Sequence, residues 1–223
     1  PVPRQKMVYS ADEAIRAAER IGYPVVIKPL DGNHGRGVTV NITAEDAIAE
    51  AFETADAEGS AVVVETMLNG DDHRLLVVNG KLVAAARRVP GHVKGDGQHT
   101  VAELVEVVNQ DPRRGVGHEN VLTRLELDEQ AKRLLEEKGY TQDTVPADGE
   151  EVYLRKTANI STGGTAVDVT DTIHPDNKLM AERAIQAVGL DVGAVDFLTT
   201  DITRSYRETG GGICEINAGP GLR

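Results

Sequence analysis

The feature that most constrains this chain is Tyr23-Pro24-Val25-Val26-Ile27-Lys28-Pro29, a β-branched run bounded by prolines and followed by Asp31-Gly32-Asn33-His34-Gly35-Arg36-Gly37. The run is too short for a helix, so it reads as a strand whose end delivers Lys28 to a glycine-rich loop. A lysine there can present its ammonium to α- and β-phosphate oxygens, while glycines let backbone N–H groups approach a γ-phosphate. Lys28, Gly32, His34, Gly35, Arg36 and Gly37 are therefore candidate nucleotide ligands; the other reading is a hairpin loop with an edge lysine. The spacing is neither Gly-x-x-x-x-Gly-Lys-Thr nor Gly-x-Gly-x-x-Gly, which rules out a P-loop and a Rossmann turn.

The flanks extend this core. Ser10-x-x-Glu13 is a capping-box pattern and predicts a helix over residues 10–20. Val38-Thr39-Val40 predicts a second strand, and Thr43, with Asp46 three residues on, predicts the cap of a helix over 43–57. Ala61-Val62-Val63-Val64-Glu65 is a third strand, completing an α+β unit that ends near Met67. A second unit opens with strands over 73–79 and 81–89 joined by Asn79-Gly80, a type I′ hairpin signal because both residues tolerate positive φ. Residues 91–150 read as a polar, irregular insertion with helices over 100–109 and 128–138. Strand character returns at 152–154, a helix is expected over 174–188, and strands over 192–198 and 213–216. The expected division is 1–67 for the glycine-loop subdomain and 68–223 for the second, with the insertion around 91–150.

Three further groups can carry chemistry. Glu65-Thr66-Met67-Leu68-Asn69-Gly70-Asp71-Asp72 lies at the junction of the units, where a carboxylate can accept from an adenine amino group and Asp72 can bind ribose hydroxyls. A solvated acidic turn is the alternative. Glu215 and Asn217, two apart on the last strand, share a face and can converge with Asp196 as hard oxygen ligands for Mg²⁺. The alternative is a buried acid paired with Arg183, Arg204 or Arg207. Arg155-Lys156-Thr157-Ala158-Asn159 before Ser161-Thr162-Gly163-Gly164-Thr165 can cradle a phosphorylated or tetrahedral intermediate, or form a solvated strand end. Arg87-Arg88 and Arg113-Arg114 can bind carboxylates, although such pairs more often decorate a surface.

With 223 residues and 40% hydrophobic content the chain can bury a sizeable core, and a net charge of −12 argues against general nucleic-acid or membrane-surface binding. One cysteine, Cys214, excludes an internal disulfide and is expected to pack in the core; no apolar run approaches bilayer length. These features point to a cytoplasmic setting. The six histidines show no zinc spacing, and no Ser-His-Asp or Cys-His arrangement stands out. The start at Pro1, without Met, suggests a piece of a longer chain.

These groups stand in the order of the ATP-grasp superfamily, and the wording of several is closer still. The strand and loop over 23–37, Asp111-Pro112-Arg113-Arg114-Gly115-Val116-Gly117-His118-Glu119-Asn120, the segment from Leu154 through Ala166, Arg207-Glu208-Thr209-Gly210-Gly211 and Glu215-Ile216-Asn217-Ala218-Gly219-Pro220-Gly221 closely resemble the cyanophycin synthetase family. The resemblance implies an α+β ATP-grasp fold, two subdomains clasping ATP between them. It implies an ATP-dependent carboxylate–amine ligase that activates the polymer's C-terminal carboxylate as an acyl phosphate and adds aspartate. Partners would be ATP, aspartate and a cyanophycin primer, in a homo-oligomeric full-length enzyme. Lys28 and the loop would hold phosphates, Glu65, Thr66 and Leu68 the adenine, and Asp72 the ribose. Asp196, Glu215 and Asn217 would hold two Mg²⁺ ions, with Arg155, Asn159, Gly163 and Gly164 near the reacting carboxylate.

The family carries an N-terminal domain with a further nucleotide-contacting lysine, and a Mur-ligase-like half that adds arginine; neither is in these residues, so weak or no polymerase activity is expected. Rival readings are a glutathione-synthetase-like ligase and a non-catalytic nucleotide-binding module. A D-alanine ligase fits less well, since Ala194 stands where those enzymes carry an arginine.

Overall fold

The computed structural model describes residues 1–31, 36–116, 120–158 and 160–221. The first unit runs β1 (Gln5–Val8), α1 (Ala11–Ile21), β2 (Val25–Pro29), β3 (Thr39–Ile42), a 3₁₀ turn (Glu45–Ala47), α2 (Ile48–Asp56) and β4 (Val62–Thr66). Its strands form an antiparallel sheet ordered β1-β4-β2-β3. Alternation along β2 turns Val25 and Ile27 into a core with Val62 and Val64, covered by α1 and α2, and leaves Val26 and Lys28 on the opposite face. Ser10 caps α1 by accepting from the Glu13 backbone at 3.2 Å, and Glu13 returns a bond to the Tyr9 N–H at 2.9 Å.

The expected cap at Thr43 is a miss. The chain enters α2 through the 3₁₀ turn, whose N-cap is Ala44 with no side-chain bond, so Thr43 and Asp46 do not form a capping pair. Strand β1 was not anticipated: three of its four residues are exposed, and its pairing with β4 bridges some sixty intervening residues, which local pattern cannot reveal.

The second unit opens with β5 (Asp71–Val78) and β6 (Lys81–Val89). Asn79 and Gly80 turn between them at φ 49° and 72°, as the hairpin signal requires. Then come β7 (His92–Lys94), α3 (Val101–Asn109), the two-residue strands β8 (Arg114–Gly115) and β9 (Leu122–Thr123), α4 (Glu129–Glu136) and β10 (Glu151–Tyr153). A 3₁₀ turn (Ile160–Thr162) leads to β11 (Thr165–Asp168), α5 (Pro175–Ala187), β12 (Val192–Thr199), α6 (Tyr206–Thr209) and β13 (Gly212–Asn217). The main sheet is ordered β11-β6-β5-β12-β13, all antiparallel. Leu75, Val77, Val195 and Phe197 pack on one face with Met180, Ala181 and Ile185 of α5. The opposite face opens onto a cleft.

The insertion carries a core of its own. Val93, Val101, Leu104, Leu125, Ala131, Leu135, Val152 and Leu154 pack together, and β7 pairs with β10 across them. Thr100 and Glu103 form a reciprocal capping box on α3, while Asp128 caps α4. Buried Asn109 donates to Leu125 O at 3.0 Å and accepts from its N–H at 2.8 Å, so this stretch is ordered rather than irregular. Among the described residues no helix is long and apolar enough to cross a membrane.

Candidate nucleotide and metal cleft

The register of the main sheet decides which side chains meet. Arg74 pairs with Asp196, and Asp196 with Glu215; one row along, Asp72 pairs with Arg88, and one row the other way, Ala194 with Asn217. Directly opposite residues share a face. Asp72, Arg74, Arg88, Asp196, Glu215 and Asn217 therefore all line the open side, a cavity of about 840 Å³. Its far wall is Tyr153, Lys156, Thr157, Ala158 and Ser161, contributed by the end of the insertion and the turn after it.

A bulge in β13 makes this possible. Asp196 pairs with Glu215 but its neighbour Phe197 pairs with Ile213, so Cys214 is an extra residue on the strand. Without it, the alternation that buries Ile213 would also turn Glu215 into the core. With it, Glu215 lines the cleft and Cys214 lies exposed beside it on the strand. Cys214 is exposed and does not pack in the core. Crowding still desolvates its thiol, and the charges of Asp72, Glu65 and Asp196 add to that, so its pKa is pushed up to about 12.

On the first unit, β2 and β4 put Lys28 and Glu65 on the sheet face away from the core under α1 and α2, where Lys28 Nζ meets Glu65 Oε1 at 2.7 Å. The crossing to β5 is tightly seated. Thr66 donates its N–H to Arg4 O at 2.9 Å, and Met67 to Pro24 O at 3.2 Å. Leu68 packs on Gly212, and Gly70, at φ 123°, lies so close to Thr199 that an added Cβ would come within 2.1 Å of its carbonyl carbon.

Asp196, 6% exposed, is held from several sides. Arg74 forks onto it, Nε to Oδ1 and Nη2 to Oδ2, both at 3.0 Å. Arg88 Nη2 stands 3.0 Å from Oδ2, and the Asn217 amide donates to Oδ2 at 3.4 Å. The same Arg88 Nη2 reaches both oxygens of Asp72 at 2.7 Å. Burial lifts the Asp72 carboxyl above its ordinary range despite that contact. Burial also works against the Arg88 charge, but Asp72 and Asp196 outweigh it and hold the guanidinium above its usual value. Arg88 Nε is buried with no hydrogen-bond partner among the described residues. The partners expected for a buried Asp196 are thus corrected: Arg204 pairs with Glu208 at 3.0 Å, Arg207 stands 3.9 Å from Asp176, and Arg183 lines a separate cavity beside α5.

Among the described residues no three His, Cys, Asp or Glu side chains surround one point, so a cation at Asp196 and Glu215 would complete its shell with the amide oxygen of Asn217 or with water and phosphate oxygens. Two carboxylates and an amide on paired strands are hard oxygen donors, a set that fits Mg²⁺.

The remaining candidates scatter. Arg155, 6% exposed, does not line the cavity: it donates to Asp128 at 2.9 Å and to Leu154 O at 2.8 Å, tying β10 to the cap of α4. Gly163 and Gly164 are buried outside the lining, and Gly163, at φ 94°, sits where a Cβ would come within 2.6 Å of Leu125. Gly37 turns at φ 70° against α2, while Arg36 is mostly exposed, 4.0 Å from Glu58. Gly32, His34, Gly35 and Asn159 lie outside the described residues. The sequence alone does not single out Arg74, while Arg88, readable as a carboxylate binder or as surface, here holds the carboxylates of Asp72 and Asp196. The available signal was parity: Arg74 is two residues from Asp72 on one strand and so had to share its face.

Residues 2–135 match the family described as carbamoyl-phosphate synthase L chain, ATP binding domain. The chain is 53% identical over 224 residues to a cyanophycin synthetase of Nostoc, covering all of this chain and 25% of that protein. It is 36% identical over 201 residues to the glutathione biosynthesis bifunctional protein of Streptococcus agalactiae, covering 88% of this chain and 27% of that one. A crystal structure of a bifunctional glutathione synthetase from Pasteurella multocida superposes with TM-score 0.72 at 34% identity, over 99% of this chain and 31% of the other. The chain thus spans about a quarter of the length of the curated relatives it matches. With one α+β unit on a four-stranded and one on a five-stranded antiparallel sheet, it has the α+β ATP-grasp fold and belongs to the family of carbamoyl-phosphate synthase L chain ATP-binding domains.

Proposed function

We infer that this chain is the ATP-binding, carboxylate-activating part of a cyanophycin-synthetase-type ligase, its cleft running between residues 1–67 and 68–223. The observation that carries the reading is the row Arg74, Asp196 and Glu215 lining one cavity, with Glu215 turned into it by the Cys214 bulge. In this reading Lys28 with Gly32, His34, Gly35, Arg36 and Gly37 holds the triphosphate, Glu65, Thr66 and Leu68 the adenine, and Asp72 the ribose. Asp196, Glu215 and Asn217 would hold two Mg²⁺ ions, which when bound neutralise phosphate charge. A primer carboxylate oxygen attacks the γ-phosphorus and ADP leaves; the amine of aspartate then attacks the acyl carbon and phosphate leaves. No enzyme nucleophile is needed, and the protein contributes positioning and charge stabilisation. The cavity-lining Lys156 and Ser161 stand on the side where the acid would lie, with Asn159 and Gly164 assigned to the same carboxylate by the family resemblance, whereas Arg155 and Gly163 serve by fixing that segment's path.

The second reading, a glutathione-synthetase-like ligase, is favoured by the 0.72 superposition. ADP release separates the two. Release with aspartate and a cyanophycin primer supports the first, and release only with γ-glutamylcysteine and glycine supports the second. Metal-dependent ATP binding with release under neither condition favours a non-catalytic module. In the active case Lys28→Met is expected to lower ADP formation by about a hundredfold or more, the scale of losing one charge-stabilising donor.

A further inference from the structure

Asp196 is the carboxylate assigned to the cation above, and the protein already crowds it, Oδ2 above all, with its own donors. An ionised carboxylate offers about four lone-pair directions. Here Arg74 takes one on each oxygen, and Arg88 and Asn217 crowd Oδ2. A cation bound to either oxygen would stand beside a guanidinium of like charge, so each weakens the other's hold on the carboxylate. The arginines differ in freedom. The Arg88 side chain is 10% exposed and shared with Asp72, whereas that of Arg74 is 29% exposed and borders the open 840 Å³ cavity. Arg74 can leave Asp196 for an anion in that cavity, whereas Arg88 stays held between Asp72 and Asp196.

We propose that Arg74 is an internal stand-in for the cation, an interlock that keeps Asp196 closed until an anionic ligand draws the guanidinium away. The inference rests on the assignment of Asp196 as a cation ligand. The fork is a bidentate, charge-assisted contact in a sheltered site, the strong class of such pairs. A divalent ion arriving alone must break it without compensation. A triphosphate or substrate carboxylate supplies a new partner for Arg74, so cation and anion bind as a set. Linkage makes the coupling reciprocal: each strengthens the other by the same factor.

The test is Mn²⁺ binding to the full chain without nucleotide, read from the electron paramagnetic resonance signal of free Mn²⁺. Arg74→Met is expected to tighten Mn²⁺ by about tenfold or more, tenfold being ~1.4 kcal/mol. Arg74→Lys, which keeps a charge but loses the fork, should fall between, and the gain should vanish in the Arg74→Met, Asp196→Asn double variant. Unchanged affinity in both Arg74 variants, while Asp196→Asn weakens binding, overturns the interlock but leaves the cation site standing. Asp196→Asn that binds Mn²⁺ as the parent does, with and without a non-hydrolysable ATP analogue, removes the cation assignment itself. If Arg74→Met fails to fold, Arg74→Lys decides alone: affinity equal to the parent's sinks the proposal.

Discussion

His73 stands on β5 between Asp72 and Arg74 but points the other way, 1% exposed, with Nδ1 2.9 Å from Asp71 O. Burial holds its pKa below the ordinary value. A base whose folded pKa is depressed binds fewer protons folded than unfolded once the pH drops below about 6.5, so stability falls as the pH falls through that point. Urea midpoints at about pH 7.5 and about pH 5.5 should therefore differ more in the parent than in His73→Asn, whose amide can keep the bond to Asp71 O. Equal pH dependence in both would place the titrating group elsewhere. Cys214 shows the opposite displacement, exposed yet with its thiol pushed up to about 12, which suits a residue present to offset a strand rather than to react.

At the scale of elements, two glycines with positive φ do different work. Gly80 turns the β5–β6 hairpin at φ 72° with open space around it, whereas Gly70 seats the start of β5 against the end of β12. Gly80→Ala should cost only the left-handed penalty, about 1 kcal/mol. Gly70→Ala adds steric overlap with Thr199 to its backbone penalty and should cost roughly 3 kcal/mol or more. Chemical denaturation of both variants checks this; equal costs would mean the crossing between the sheets is not seated as described. The same scale shows what local pattern could reveal. Strand β2, helices α1, α3 and α5 and the hairpin follow from periodicity and capping residues close in sequence. Strands β1 and β11 did not announce themselves, because they are short, mostly exposed edges defined by their partners.

Among the described residues three cores hold the molecule together, one under each of the two larger sheets and one inside the insertion. A lobe with its own core can open separately from the rest. Leu135→Ala, at a site 1% exposed, should destabilise the insertion by about 2–4 kcal/mol. Amide exchange should accelerate over residues 93–154 while β2 and β4 keep their protection. Acceleration spread evenly through all three cores would show a single cooperative unit instead. The lobe matters to function because its last strand and the following turn supply Tyr153, Lys156 and Ser161 to the cleft.

By itself the sequence determined the α+β alternation, Lys28 at a strand end before a glycine loop, the hairpin, and the shared face of Glu215 and Asn217. Each of these depends on residues within a few positions of one another, where covalent geometry and side-chain period suffice. Only the tertiary structure decided the rest: that Asp196 answers to Arg74 and Arg88, that Arg155 braces a helix cap outside the cleft, and that Glu215 faces outward at all. These follow from cross-strand register and one bulge. A single extra residue reverses every side chain beyond it, and that residue is visible only once the strands are paired.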